Sequence, residues 1–201
     1  PSILITTNPT IKTPKDLFNR IVMMSYEEAH SVSILSMLMS HGIKKEDILL
    51  RDPSFQIDDL IKHKIDAMAC YISNEPFILN QCNVPYTILN PKEYGFDFYG
   101  DILFTSEDEI TLNKDRAKRF YTASKKGWEW AFDHIEETAK LIYEKYNTQN
   151  KSLEALIYEG EALKKLAFAD DKPYGTLETK KFEDISNVYK ISGMIKNTYA
   201  I

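Results

Sequence analysis

Short apolar runs alternate with amphipathic stretches through residues 2–89, and this alternation limits the fold more than any other feature. Residues 2–6, 21–24, 48–50, 67–72 and 86–89 are short and rich in Ile, Leu, Met, Ala and Tyr. Runs this short read as strands, because a buried helix needs a longer apolar stretch. Helical signals fill the gaps. Thr13 can cap a turn with Pro14 at its first position. Residues 27–41 place Ala29, Val32, Leu35 and Met39 on one face, and Gly42 ends that helix. Residues 55–63, with Phe55, Leu60 and Ile61, and residues 76–81 predict two shorter helices. Strand-helix alternation predicts an α/β fold around a largely parallel sheet.

The second half changes character. Phe98–Thr105 reads as one more strand, and everything after it is helical. At 113–133 the spacing of Ala117, Phe120, Tyr121, Ser124, Trp128, Ala131 and Phe132 is the clearest helical period in the chain. Helices are expected at 136–146, at 152–168 (Leu153, Leu156, Ile157, Leu163, Leu166) and at 178–193 (Phe182, Ile185, Tyr189). Residues 170–175 read as a loop. The seam between the two halves lies near 85–98, rich in Pro and aromatics rather than in flexible linker residues. No fixed-period repeat is present.

Composition narrows the function classes. The 201 residues include 43% hydrophobic and 27% charged side chains, an ordinary globular balance. A net charge of −5 argues against nucleic acid as a partner, because counterion release needs a basic surface. No apolar run approaches a membrane span, and no signal peptide is read, so membrane attachment would come through flanking segments. The chain opens inside its first strand, as expected of a piece excised from a longer polypeptide. Cys70 and Cys82 are too few for a disulfide framework or a zinc site. Cys70, in an apolar run, reads as a buried thiol; a bridge to Cys82 remains open in an oxidising compartment.

No nucleotide-binding glycine motif, nucleophile elbow or metalloprotease motif occurs, and His30, His41, His63 and His134 are scattered. No catalytic residue, metal or cofactor is therefore expected. Open α/β sheets bind ligands beyond the carboxyl ends of their strands. Two segments fall there: Ser25, Tyr26, Glu27 and Glu28 after the strand at 21–24, and Ser73 through Phe77, with Asn74 and Glu75, after the strand at 67–72. Both also read as plain helix caps. If they line a cleft, the carboxylates select a neutral or cationic ligand, with Glu75 accepting from an amine. A third segment, Tyr94, Gly95, Phe96, Asp97, Phe98 and Tyr99, is either a packed core strand or a face for stacking a flat ring.

These residues resemble a family. The runs from Ile11 to Leu17 and from Arg20 to Met24 look like a segment of the periplasmic binding proteins, in the branch of thiamine-pyrimidine and sulfonate receptors (SsuA-like). The runs Tyr71–Phe77, Tyr94–Thr105 and Phe120–Phe132 resemble one sub-branch, the extracytoplasmic sensor regions of bacterial histidine kinases and diguanylate cyclases. The resemblance implies a type II periplasmic-binding-protein-like fold of two lobes with a helical C-terminal half. Residues 13–85 would form the second lobe; 1–12 and 86–201 would supply part of the first lobe, the hinge and the C-terminal helices. The family's N-terminal segment has no match, which would leave apolar faces open and favour a homodimer.

Carried over by motif, the ligand would touch Ser25, Tyr26, Tyr71, Asn74, Glu75, Tyr94, Phe96 and Tyr99, and would be a small amine-bearing heterocycle. The implied role is the small-molecule sensor region of an inner-membrane signalling protein, facing the periplasm. The alternative is the solute-binding protein of an ABC transporter. A third reading, a pyrimidine-synthesising enzyme, lacks that branch's cysteine-rich run.

Overall fold

The computed structural model describes residues 2–25, 32–54, 56–169 and 172–196. They fall into two compact units: Pro1–Tyr99 with Glu178–Ile201, and Gly100–Leu177. The predicted helix residues 27–31, Phe55 and part of the 170–175 loop lie outside the described residues.

Unit 1 is built on a five-stranded sheet. The strands are β1 (Ser2–Thr6), β2 (Ile21–Met23), β3 (Leu49–Arg51), β4 (Ala67–Tyr71) and β5 (Thr87–Leu89), in the order β3-β2-β4-β1-β5. Every apolar run read as a strand in residues 2–89 forms one. The sheet is mixed, not largely parallel. β2 runs parallel to β3 and β4, whereas β1 runs antiparallel to both of its neighbours, β4 and β5. Strand direction is not encoded in a strand's own alternation, so the sequence pattern could not supply it.

β1 stitches two cores together. Successive side chains point to opposite faces. Ile3 and Ile5 join Met23, Leu60, Ile65, Met68 and Leu79 on one face. Leu4 joins Ile11, Leu17, Val22, Ile34, Met37, Leu38 and Leu89 on the other. That second face is covered by α1 (Val32–Ser40), whose residues Val32 to Leu35 are all buried. The helix ends with Gly42 at φ 79°, a left-handed position that glycine adopts without a Cβ penalty. α2 (Ile57–Ile61) and α3 (Glu75–Gln81) contribute Leu60 and Leu79 to the first face.

Two carboxylates fix the connections. Asp16 accepts from the backbone N–H groups of Lys12 and Thr13, at 2.9 and 2.8 Å, and these donors hold its carboxyl below the usual range. Asp66 accepts from Asn8 Nδ2 and from the backbone N–H of Ile21, both at 3.0 Å. It thereby joins the end of β1, the start of β2 and the start of β4.

Unit 2 holds α4 (Glu107–Leu112), α5 (Lys114–Asp133), α6 (Ile135–Lys145) and α7 (Leu153–Ala167). The three long helices match the expected segments, and α4, capped by Ser106, falls in the stretch after residue 105 whose pattern is helical without marking a separate helix there. Residues 98–105 form no strand, contrary to the sequence pattern. A strand exists only through a partner's hydrogen bonds, and none is present there among the described residues. Ile102, Leu103 and Phe104 are exposed, the last by 87%. The stripe on α5 is likewise incompletely covered: Phe120, Tyr121 and Trp128 are exposed, and Phe132 alone on that helix is buried. Phe132 packs edge-on against Phe168 and Tyr174. Ala139 is the other buried side chain of this unit among the described residues.

α6 and α7 pack closely at Gly160, where an added Cβ would lie 2.8 Å from Cγ2 of Ile135. Cγ2 sits on a stiff β-branched side chain and cannot swing away. Gly127, inside α5, has nothing within 4 Å of that position. Helix propensity favours alanine over glycine by about 1 kcal/mol at either site. Gly127→Ala is expected to raise the unfolding midpoint in a urea titration. Gly160→Ala is expected to lower it, despite the same gain in propensity.

Candidate functional site

The three parallel strands β2, β3 and β4 end on one edge of the sheet. β5 is antiparallel to β1, and so parallel to β4, and it ends there too. The registers Met23↔Met68 and Leu4↔Leu89 carry Ser25, Tyr71 and Asn90 past this same edge. After Tyr71 and Asn90 the chain turns from strand into helix, and backbone donors at helix starts face outward. Ser25 is half-buried, and Tyr71 is half-exposed. Tyr26 lies outside the described residues, as do Glu27 and Glu28.

Asn74 is the N-cap of α3, with Glu75 and Pro76 as its first two residues. The Glu75 carboxylate turns back on its own strand. Its Oε2 accepts from the backbone N–H of Tyr71 at 3.0 Å, and the Cys70 thiol is a second hydrogen-bond neighbour. Burial, with Glu75 beside it, pushes the Cys70 thiol far up. Glu75 thus presents a carboxylate of fixed orientation at the strand end. A carboxylate has about four lone-pair sites, so capacity remains for a ligand donor. Across the same edge, Met24 N–H donates to Arg51 O at 3.1 Å and Ser54 Oγ donates to Asp59 at 2.9 Å.

The aromatic segment is placed differently. Residues 91–94 form a 3-10 turn, and Tyr94 meets the His41 ring edge-on at 4.9 Å, beside the C-terminal end of α1. Desolvation raises the Tyr94 hydroxyl above its usual range. Phe96 packs against the core face that α1 covers. Phe98 stacks on Tyr189 at 6.0 Å and Tyr99 tilts against Phe182 at 5.0 Å, both on α8 (Thr179–Ile191). The structure therefore brings Ser25, Tyr71, Asn74 and Glu75 to one edge, and packs Tyr94, Phe96 and Tyr99 along α1 and α8. Sequence reasoning missed the partners on α8. The stripe Phe182, Ile185, Tyr189 was legible, but nothing in it names the distant segment it meets.

Two shallow grooves open elsewhere on unit 1. One is lined by Thr10, Lys15, Asp16, Phe18, Asn19 and Arg20; the other lies between Asp97 and α8. No cluster of three or more His, Cys, Asp or Glu side chains able to hold a metal occurs among the described residues. No helix among them is long and apolar enough to cross a membrane.

With this geometry in place, the comparisons define a class. A family model described as NMT1/THI5 like matches residues 2–138, and the chain belongs to that family. Its fold is that of the periplasmic binding proteins. The periplasmic aliphatic sulphonate binding protein SsuA of Escherichia coli superposes with a TM-score of 0.70 at 13% identity, over 99% of this chain and 62% of that one. The alkanesulfonate-binding protein SsuA of Xanthomonas axonopodis pv. citri, bound to MOPS, gives 0.67 at 12% identity, over 100% and 67%. The desulfurization enzyme DSZB gives 0.57 at 11% identity, over 98% and 71%. The chain spans about three fifths to two thirds of the sulfonate-binding proteins' length. No curated protein matches it.

The two cysteines are free; Cys70 is buried and Cys82 exposed. An aromatic disulfide reagent at pH 8 is expected to release one equivalent of thiolate quickly, from Cys82, and the second only on unfolding. Cys82→Ser should abolish the fast phase, and Cys70→Ser should leave it intact.

Proposed function

We propose that this chain is the ligand-binding region of an extracytoplasmic receptor, acting as the sensor part of an inner-membrane histidine kinase or diguanylate cyclase. The observation that carries the binding role is the convergence of Ser25, Tyr71, Asn74 and Glu75 on the carboxyl edge of a periplasmic-binding-protein sheet. In that class of sheet, ligands lie beyond strand ends. The sensor role is supported by the runs Tyr71–Phe77, Tyr94–Thr105 and Phe120–Phe132. A second reading, the solute-binding protein of an ABC importer, is favoured by the sulfonate-binding neighbours.

The ligand is a small molecule with an amine on a flat heterocycle. Glu75 accepts from the amine, Tyr71 offers a ring face, and Ser25 and Asn74 supply neutral hydrogen bonds. Tyr94, Phe96 and Tyr99 act indirectly, by packing the segment that follows β5 on α1 and α8. Residues 13–85 form the second lobe, with the remaining chain contributing hinge and first lobe. Binding shifts an open-closed equilibrium rather than making or breaking bonds.

A thermal-shift screen of aminopyrimidines, amino acids, polyamines, alkanesulfonates and carboxylates tests this. An amine ligand at 100 times its dissociation constant adds about 2.7 kcal/mol, which is a rise of roughly 5–10 °C at this chain length. The rise should vanish in Glu75→Gln. A shift with alkanesulfonates that survives Glu75→Gln would overturn the assigned ligand class.

The exposed Leu103, Phe104, Phe120 and Tyr121 favour self-association, and we assign the chain a homodimer held through unit 2. Sedimentation should give twice the chain mass at micromolar concentration. The paired substitution Phe104→Ser and Phe120→Ser should return it to monomer mass.

A further inference from the structure

The chain passes between the two units at Tyr99–Gly100 and again at Leu177–Glu178. Though 78 residues separate them in sequence, these crossings are tied to each other. The backbone N–H of Glu178 donates to the Tyr99 hydroxyl at 2.8 Å. Lys181, one turn further on, reaches back twice: its Nζ lies 2.8 Å from the Asp97 carboxylate and 4.5 Å from the centre of the Tyr99 ring. Lys92 approaches the same carboxylate at 3.6 Å. The ring contacts Tyr99–Phe182 and Phe98–Tyr189 extend the attachment along α8. Just outside the tie, on the unit 2 side, each crossing carries a glycine. Gly100 has open space about its Cβ position, and Gly175 has a φ of 80°. Ordered attachment on one side and glycine on the other is the pattern of a hinge, where a few residues absorb the dihedral change.

We propose that Tyr99, Glu178, Lys181 and Asp97 form a hinge clasp that fastens the outgoing and returning segments into one tether and so restricts the motion of unit 2 against unit 1. Two separate tethers would permit independent twisting; a fastened pair leaves bending at the glycines. All four residues lie in the 86–201 part of the chain, so the clasp goes beyond the receptor reading and acts within that part rather than on closure over residues 13–85. Its test needs no ligand, so a failed ligand screen and a failed clasp are distinguishable.

Spin labels on Cys82 and on Glu137→Cys, an exposed position of α6, report the separation between units by pulsed electron-electron resonance. Cys70 is buried and stays unlabelled. Tyr99→Phe removes the hydroxyl and keeps the ring; Lys181→Met removes the charge and keeps the stem. Each is expected to broaden the distance distribution about twofold, and the double variant no more than either alone, since both open one clasp. Lys180→Met, which removes only a contact with Asp184 within α8, should leave the width at the parent value. Circular dichroism melts establish that each variant folds; if Tyr99→Phe does not, Lys181→Met carries the test. Parent-like widths in the folded variants would overturn the clasp, as would equal broadening by Lys180→Met.

Discussion

The placement of β1 between β4 and β5 is the constraint on which unit 1 depends. Without it β5 has no partner, because β5 pairs with β1 and the order is β3-β2-β4-β1-β5. Its three central side chains serve two cores at once: Ile3 and Ile5 on one face, Leu4 on the other, all fully buried. Burying each is worth about 2 kcal/mol. A slip of one residue would send Leu4 to the wrong face and both isoleucines with it. The register is pinned at its far end, where Thr6 Oγ1 donates to the Asp66 carbonyl at 2.6 Å and Asn8 binds the Asp66 carboxylate. The same Asp66 carboxylate takes the first N–H of β2, so one side chain sets three strands level. That alignment is what makes the opposite edge common to Ser25, Tyr71 and Asn90.

Unit 2 obeys a different balance. Its helices carry sound local signals, including side-chain caps from Ser106 and Ser152 and an Arg116–Glu109 pair at 2.6 Å. Exposed ion pairs of this kind contribute about 0–1 kcal/mol each. The tertiary term is smaller than the stripes suggest. The Phe132, Phe168 and Tyr174 rings form its centre, while Phe120, Tyr121 and Leu112 face outward. A helix pattern can therefore be strong in sequence and still lack a surface to bury against. The segment at 102–104 makes the same point for strands. Apolar composition is a strand's side-chain requirement, and a neighbour's backbone is its other requirement.

What the sequence made legible follows the range of the physics behind each signal. Runs such as Ile3-Leu4-Ile5, the glycine stop at Gly42, and the period of α5, α7 and α8 act over one element and were readable. The antiparallel direction of β1 depends on what lies at its far end and was not readable. At the site, Asn74 and Glu75 were legible as a helix start beyond a strand. That Glu75 folds back to the Tyr71 N–H is a matter of local dihedrals, which residue types do not encode. The aromatic run at 94–99 was conspicuous, but its main partners, His41, Phe182 and Tyr189, are drawn from elements that only the fold brings near.

Both halves of the proposed device, the ligand edge and the hinge clasp, lie in unit 1, and α1 is the element they share. It is the next described element after Ser25, and it packs on β1, on the turn at 91–94 and on α8. A close-packed helix moves as a body rather than deforming residue by residue. A ligand held at Ser25 that displaces α1 therefore moves a rod whose other contacts are the turn at 91–94 and α8. Coupling of that kind has physical content only if the element has two arrangements that both sites bias. Tyr94 supplies the place to look. Its ring rests edge-on against His41 at the end of α1 while its backbone leads within five residues to Tyr99, so a shift of α1 cannot leave both contacts unchanged.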